Sequence, residues 1–176
     1  MAKTKKKRGE EEQPPVELAI VGEIFDEAES EFVKDLLSIP AGEEFTLYLD
    51  SAGGSVYAAL TIAGMIRSRK HKVTAIVLGE CSSSAILIFA ACQRRLVSPR
   101  SVFLFHRVKW RSEKDVRSEE AVNWAGHFQW LEEEIDAYQA ALFGLAEDRF
   151  AAWIKEGRFV LGPQLVELGI AEFIDV

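Results

Sequence analysis

No apolar run in this chain approaches the ~18 residues needed to cross a bilayer, and no apolar segment follows the lysines near its start. Insertion and secretion are therefore unsupported, and the cytoplasm is the expected compartment. Cysteine is scarce: Cys81 and Cys92 both sit in apolar surroundings with no metal-like partner spacing. That pattern excludes a disulfide framework and a structural metal site, and fits reduced, buried thiols. Neither a metal nor an organic cofactor is expected. Positive charge is not in excess. The formal net charge is -7 and the pI about 5.1, which argues against nucleic acid as the main partner because phosphate binding needs a basic face. No internal repeat is present.

What the chain does have is 176 residues with 48% hydrophobic content, enough for one domain with a sizeable core. Its amino end departs from this composition. Lys3, Lys5, Lys6, Lys7 and Arg8 are followed by Glu10, Glu11 and Glu12, with nothing apolar to pack. Residues 1–15 read as a flexible charged tail and 16–176 as the folded domain.

Within the domain, strand and helix signals alternate, the mark of α/β architecture. Val16 to Val21 reads as a strand, and Asp26 caps a helix with Phe32, Val33, Leu36 and Leu37 at helical spacing. Pro40 and Gly42 mark a turn before the strand Phe45 to Leu49. A helix over 55–68, a strand over 73–78 and a helix over 83–92 follow. The strand Val102 to Phe105 runs directly into His106. Residues 107–117 are polar and read as an exposed connection. From Ser118 to Phe143 a long helix carries Val122, Trp124, Phe128, Trp130, Leu131, Ile135, Tyr138 and Leu142 on more than one face. A single buried stripe would be narrower.

Three junctions carry chemistry. Asp50-Ser51-Ala52-Gly53-Gly54 lies between a strand and a helix, where two glycines let backbone N–H groups approach a ligand and the helix adds its positive end; such an amide trap suits an oxyanion. Gly79-Glu80-Cys81-Ser82-Ser83-Ser84 forms a second glycine-led turn bearing hydroxyls, and the third junction ends on His106. All three fall where a parallel sheet places its ligand-binding edge. By themselves, a serine in such a run is a helix cap and a histidine at a strand end a packed residue.

In order and approximate spacing these three motifs resemble the ClpP peptidase family, sharpest at 51–55, 79–85 and 99–106. The resemblance implies the ClpP/crotonase-like spiral of ββα units with a long handle helix. It implies a serine peptidase hydrolysing peptides or unfolded polypeptides, with Ser83 as nucleophile, His106 as general base, and the amides of Gly54 and Ser84 as the oxyanion hole. Ser82 is then a cap or supporting hydroxyl, while His71 and His127 default to surface or packing roles. The resemblance further implies a ring-forming homo-oligomer, with the long helix meeting another subunit. The ATP-driven unfoldase that partners the family is left open, because the charged tail runs almost directly into Val16 where the family carries axial gating loops.

One family residue does not carry over. Gly157 stands where the third catalytic residue, an Asp, is expected. Glu156, Asp115, Glu113 and Asp148 are the carboxylates that folding could bring there instead, although strand alternation would aim Glu156 and Gly157 in opposite directions. The interval from Ser83 to His106 is also two residues shorter than is typical, the loss falling around Gln93 and Arg94. Three alternatives accompany the peptidase reading: an inactive ring subunit with a scaffolding or regulatory role, a crotonase-type acyl-CoA enzyme, and a Ser-Lys dyad for which no lysine stands in an identifying motif.

Overall fold

The computed structural model describes residues 14–112 and 115–175. The expected tail lies outside them except for Pro14 and Pro15. Five strands form a parallel sheet in the order β1 (Val16–Ile24), β2 (Glu44–Gly54), β3 (Lys72–Val77), β4 (Arg94–Val97) and β7 (Glu172–Phe173). A second, antiparallel pair joins β5 (Val102–Phe105) to β6 (Arg158–Leu161). Helices α1 (Asp26–Ser38), α2 (Val56–Ser68) and α3 (Ala85–Ala91) are the crossovers that parallel pairing requires. The long helix α4 (Ser118–Phe143) then leads into α5 (Glu147–Glu156) and, after β6, α6 (Gly162–Glu167). This is the mixed α/β arrangement with a parallel sheet that the alternating pattern implies.

The core forms where the alternating strand residues meet α3. Every residue of α3 is buried, so this helix is apolar all round and packs as a central element. Phe89 contacts both Phe103 and Phe143, and Phe105 meets Phe150 and Trp153, tying β5 to α3, α4 and α5. Full burial of each such ring is worth about 1.5–3 kcal/mol. The strand that ends on His106 is thus anchored at both inward-facing phenylalanines, Phe103 and Phe105.

Several expectations need correction. Asp26 is the first helical residue of α1 rather than its cap: Phe25 takes the N-cap position without a side-chain bond, and Asp26, Glu27 and Glu29 complement the helix dipole in the first turn. Helix α3 runs Ala85–Ala91, the apolar run after the serine turn, and not from Ser83 to Cys92, because Ser83 has a left-handed φ of 57° that a helix cannot contain. Strands β4 and β7 had no sequence signal, β4 opening on two arginines and β7 being two residues long. The shortened loop near Gln93 and Arg94 is a two-residue link, Cys92 and Gln93, with Gln93 Oε1 accepting the Val73 N–H at 2.7 Å and Arg94 already in β4. Finally, Glu156 and Gly157 are not strand neighbours. Glu156 ends α5, and Gly157 is its left-handed cap at φ 65°, ψ 65°.

Candidate active site

Beyond Tyr48, where its register with β3 ends, β2 runs alongside the turn 79–83. Ser51 N donates to Glu80 O at 2.8 Å, and Ser82 N donates to Ser51 O at 2.9 Å. The opposite edge of the same turn bonds to β5: Cys81 N donates to Val102 O and Ser83 N to Leu104 O, both at 2.9 Å. The turn is therefore held as an extra strand between β2 and β5. Asp50 Oδ1 accepts the Glu80 N–H at 2.9 Å, and a Cβ on Gly79 would lie 2.7 Å from that oxygen.

The glycine pair has a separate reason at each position. A Cβ on Gly53, at φ 97°, would meet Ser83 Cβ at 2.7 Å and Ser82 O at 2.8 Å, so this glycine is what lets β2 touch the serine turn. A Cβ on Gly54 would overlap Ile24 O of β1. Ile24 is the residue opposite Gly54, and its carbonyl accepts the Ser55 N–H at 2.7 Å. In a parallel ladder the opposing residue then points its own N–H to the other side. The Gly54 amide accordingly faces away from β1.

Among the three serines the burial differs sharply. Ser82 and Ser84 are buried, and Ser83 between them is half-exposed. Ser82 Oγ accepts the Leu104 N–H at 3.2 Å, a supporting role that fixes the turn to β5. Ser84 caps α3, and neither its Oγ nor its backbone N–H finds a protein partner among the described residues. Ser83 alone combines a reachable hydroxyl with strained backbone. A non-glycine residue in the left-handed region costs about 1 kcal/mol or more, and the hydrogen bonds on both sides of this turn hold it there.

His106 follows β5 directly and is half-buried. Its Nδ1 lies 2.6 Å from the carbonyl oxygen of Arg107. A carbonyl only accepts, so Nδ1 carries the proton and Nε2 is left as the basic nitrogen. Ser83, Ser84, Gly54 and His106 line one cavity of about 530 Å³. No hydrogen bond joins Ser83 to His106 among the described residues. The β5–β6 register ends at Phe105 and Arg158, so His106 and Gly157 are the residues directly beyond that last pair. A side chain at 157 would meet nothing within 4 Å. The other carboxylates do not fill that space. Glu156, Asp148 and Asp115 are exposed and none lines the cavity, while Glu113 lies outside the described residues.

Of the two carboxylates that do line it, Glu23 of β1 is exposed, and the other is Asp136 of α4, which the sequence reading passed over. It is half-buried and makes no hydrogen bond or ion pair among the described residues. Burial first, and then the Glu132 charge, push its carboxyl up to about 6 against the opposing pull of Arg107. The only sequence signal was its place directly after Ile135 and one turn before Gln139, both of which are buried.

The remaining histidines and cysteines have other settings. His71 is fully buried, accepting from Arg69 Nε at 3.1 Å and meeting Glu43 O at 3.3 Å through Nδ1. His127 bridges helices: its Nε2 is 2.7 Å from Tyr57 Oη of α2, and its ring stacks on Tyr57. Burial raises the thiol pKa of Cys81 strongly and that of Cys92 to about 12, so neither supplies a thiolate at neutral pH. Around His127, α4 presents an aromatic face. Phe128 stacks between Trp110 and Trp124, and Trp124 and Trp130 remain about half exposed.

Comparison with known proteins places these observations in a family. The family model described as Clp protease matches residues 16–174. An ATP-dependent Clp protease proteolytic subunit of Pleurastrum terricola is 26% identical over 162 residues, covering 89% of this chain and 82% of that protein. Proteolytic subunit 2 of Treponema denticola is 35% identical over 96 residues, or 52% of this chain and 48% of the relative. The proteolytic subunit of Leuconostoc citreum is 31% identical over 93 residues, or 50% and 46%. The last two matches span about half the length of those proteins.

Proposed function

Because the chain belongs to the Clp protease family, we propose that it is a serine peptidase cleaving peptides or unfolded polypeptides, with Ser83 as nucleophile and His106 as general base. The observation that carries this reading is the cavity shared by Ser83, His106 and the Gly54 and Ser84 backbone. In the reaction, His106 Nε2 takes the Ser83 proton as Oγ attacks the peptide carbonyl. The Gly54 and Ser84 amides donate to the oxyanion that forms, and the imidazolium then protonates the leaving amine. The unbonded Ser84 N–H and the outward-turned Gly54 N–H support that assignment, since donors already engaged elsewhere could not stabilise new charge.

The Arg107 carbonyl takes over half of what an acid does. It holds the tautomer, as a carboxylate would, but its dipole stabilises an imidazolium less than a full negative charge. The expected enzyme is therefore slow compared with one bearing a complete triad. Assembly as a homo-oligomeric ring belongs to the same proposal, supported by the exposed aromatics of α4. So does cooperation with an ATP-driven unfoldase, in keeping with the names of the relatives.

The absence of a Ser83–His106 hydrogen bond favours one second reading, an inactive ring subunit that scaffolds or regulates an active one. A fluorophosphonate probe separates the two. The peptidase reading expects a single adduct on Ser83 and fluorogenic-peptide turnover that Ser83→Ala abolishes. Labelling of Ser82 or Ser84, or turnover surviving Ser83→Ala, would overturn the assignment, and a probe that never labels favours the inactive subunit.

A further inference from the structure

The apolar lining of the cavity comes in part from Ile86, Phe105, Ile135 and Ile154, and α4 adds Asp136 and Gln139 beside Ile135. Residues three apart on a helix are neighbours, so the carboxylate and the amide stand side by side. Apolar side chains lining a cavity together with a carboxylate and an amide oxygen match one class of peptide side chain: a long aliphatic stem carrying a cation. We propose that Asp136, with Gln139, forms a subsite that takes a lysine or arginine side chain of the substrate beside the Ser83–His106 centre. The inference rests on the peptidase reading for its substrate class but not for its binding chemistry.

Asp136 is free to do this. A half-buried carboxylate with no partner among the described residues is costly to keep charged unless a cation arrives, which is the setting of a ligand-binding group rather than of a surface ion pair. Glu132 precedes Asp136 by one turn on α4. Arg107, Lys109 and Arg111 belong to the segment after β5, and Glu23 and His106 line the cavity from β1 and β5. Lys109 and Arg111 line the same cavity and Arg107 pulls the Asp136 carboxyl down, but all three residues are exposed and none forms an ion pair with Asp136. The raised carboxyl, near 6, adds a signature: preference for a cationic side chain is present above that pH and is lost as pH falls through it.

The test measures binding and turnover separately. Fluorescein-labelled peptides that differ only in carrying lysine, norleucine or glutamate at the residue before the cleavage position are titrated against assembled Ser83→Ala protein by anisotropy. The expected result at pH 8 is lysine bound about tenfold more tightly than norleucine, and glutamate more weakly than both. That ratio falls towards one at pH 5, a comparison that needs no change at Asp136. Asp136→Asn in the same background makes the ratio flat with pH, and Asp136→Glu restores part of it. A lysine-to-norleucine preference of one or less at pH 8, or one unmoved by Asp136→Asn, overturns the subsite. Turnover of the same sequences as fluorogenic amides by unmodified protein reports on the Ser-His chemistry: lysine-selective binding without turnover keeps the subsite and removes the peptidase reading.

Discussion

Gly157→Asp is the substitution in which geometry and chemistry pull against each other. Position 157 and His106 directly follow the last β5–β6 pair, Arg158 and Phe105, and opposed residues in such an antiparallel pair have Cα atoms about 4.5–5.5 Å apart. A carboxylate introduced there starts within reach of the imidazole and finds open space, since a Cβ at 157 touches nothing within 4 Å. The backbone resists. Gly157 caps α5 at φ 65°, and a side chain in that region costs about 1 kcal/mol, with Asp among the residues that tolerate it best. For a domain of this size that is a fall in Tm of about 2–4 °C. On the other side, an orienting Asp contributes up to about 10⁴ in kcat in the serine-protease example, or about 5.4 kcal/mol at 1.36 kcal/mol per decade. The Arg107 carbonyl already fixes the tautomer, so only the imidazolium-stabilising share is to be gained. We expect kcat to rise about 10- to 100-fold, equivalent to about 1.4–2.7 kcal/mol. The assay is hydrolysis of a fluorogenic peptide alongside a thermal melt, with Gly157→Asn as the control that carries the backbone strain without the charge. A folded, assembled Gly157→Asp variant no faster than Gly157→Asn would refute the argument that His106 lacks a negative partner.

Gly53→Ala should destabilise the protein by about 1–3 kcal/mol and abolish Ser83 labelling, because its methyl would sit 2.7 Å from Ser83 Cβ; unchanged labelling with an unchanged melt would contradict the close approach. Cys81 and Cys92 should resist iodoacetamide in the native protein at pH 7.5 and react in denaturant, as mass spectrometry would show; rapid native alkylation would mean that burial does not hold their thiols protonated. Light scattering at micromolar concentration should give a mass several times 19.7 kDa, and Trp124→Glu with Trp130→Glu should shift it towards that of a single chain; a monomer before substitution would remove the proposed ring.

Composition and periodicity were enough to determine the alternating α/β architecture, while the resemblance of the three ordered junctions to a known family supplied the family and Ser83, His106, Gly54 and Ser84 as candidates. Those features are local: a strand period, a helix period, and glycine where a chain must turn or approach closely. Even the long helix and its surplus of aromatics were legible, because 3.6-residue spacing is written along the chain. The features left to tertiary structure all depend on how one segment lies against another. Strand β4 begins with two arginines and becomes a strand because β3 and β7 pair with it on either side. The α5 helix ends at Glu156, so Gly157 is a left-handed cap rather than a strand residue, and only the β5–β6 pairing brings it to the end of β5 where His106 stands. The partner of His106 Nδ1 is a backbone carbonyl, a group every residue carries and no side-chain pattern reveals. Asp136 reaches the cavity only because α4 folds back over the Ser83 turn, bringing together residues 53 positions apart whose neighbours in sequence say nothing of one another.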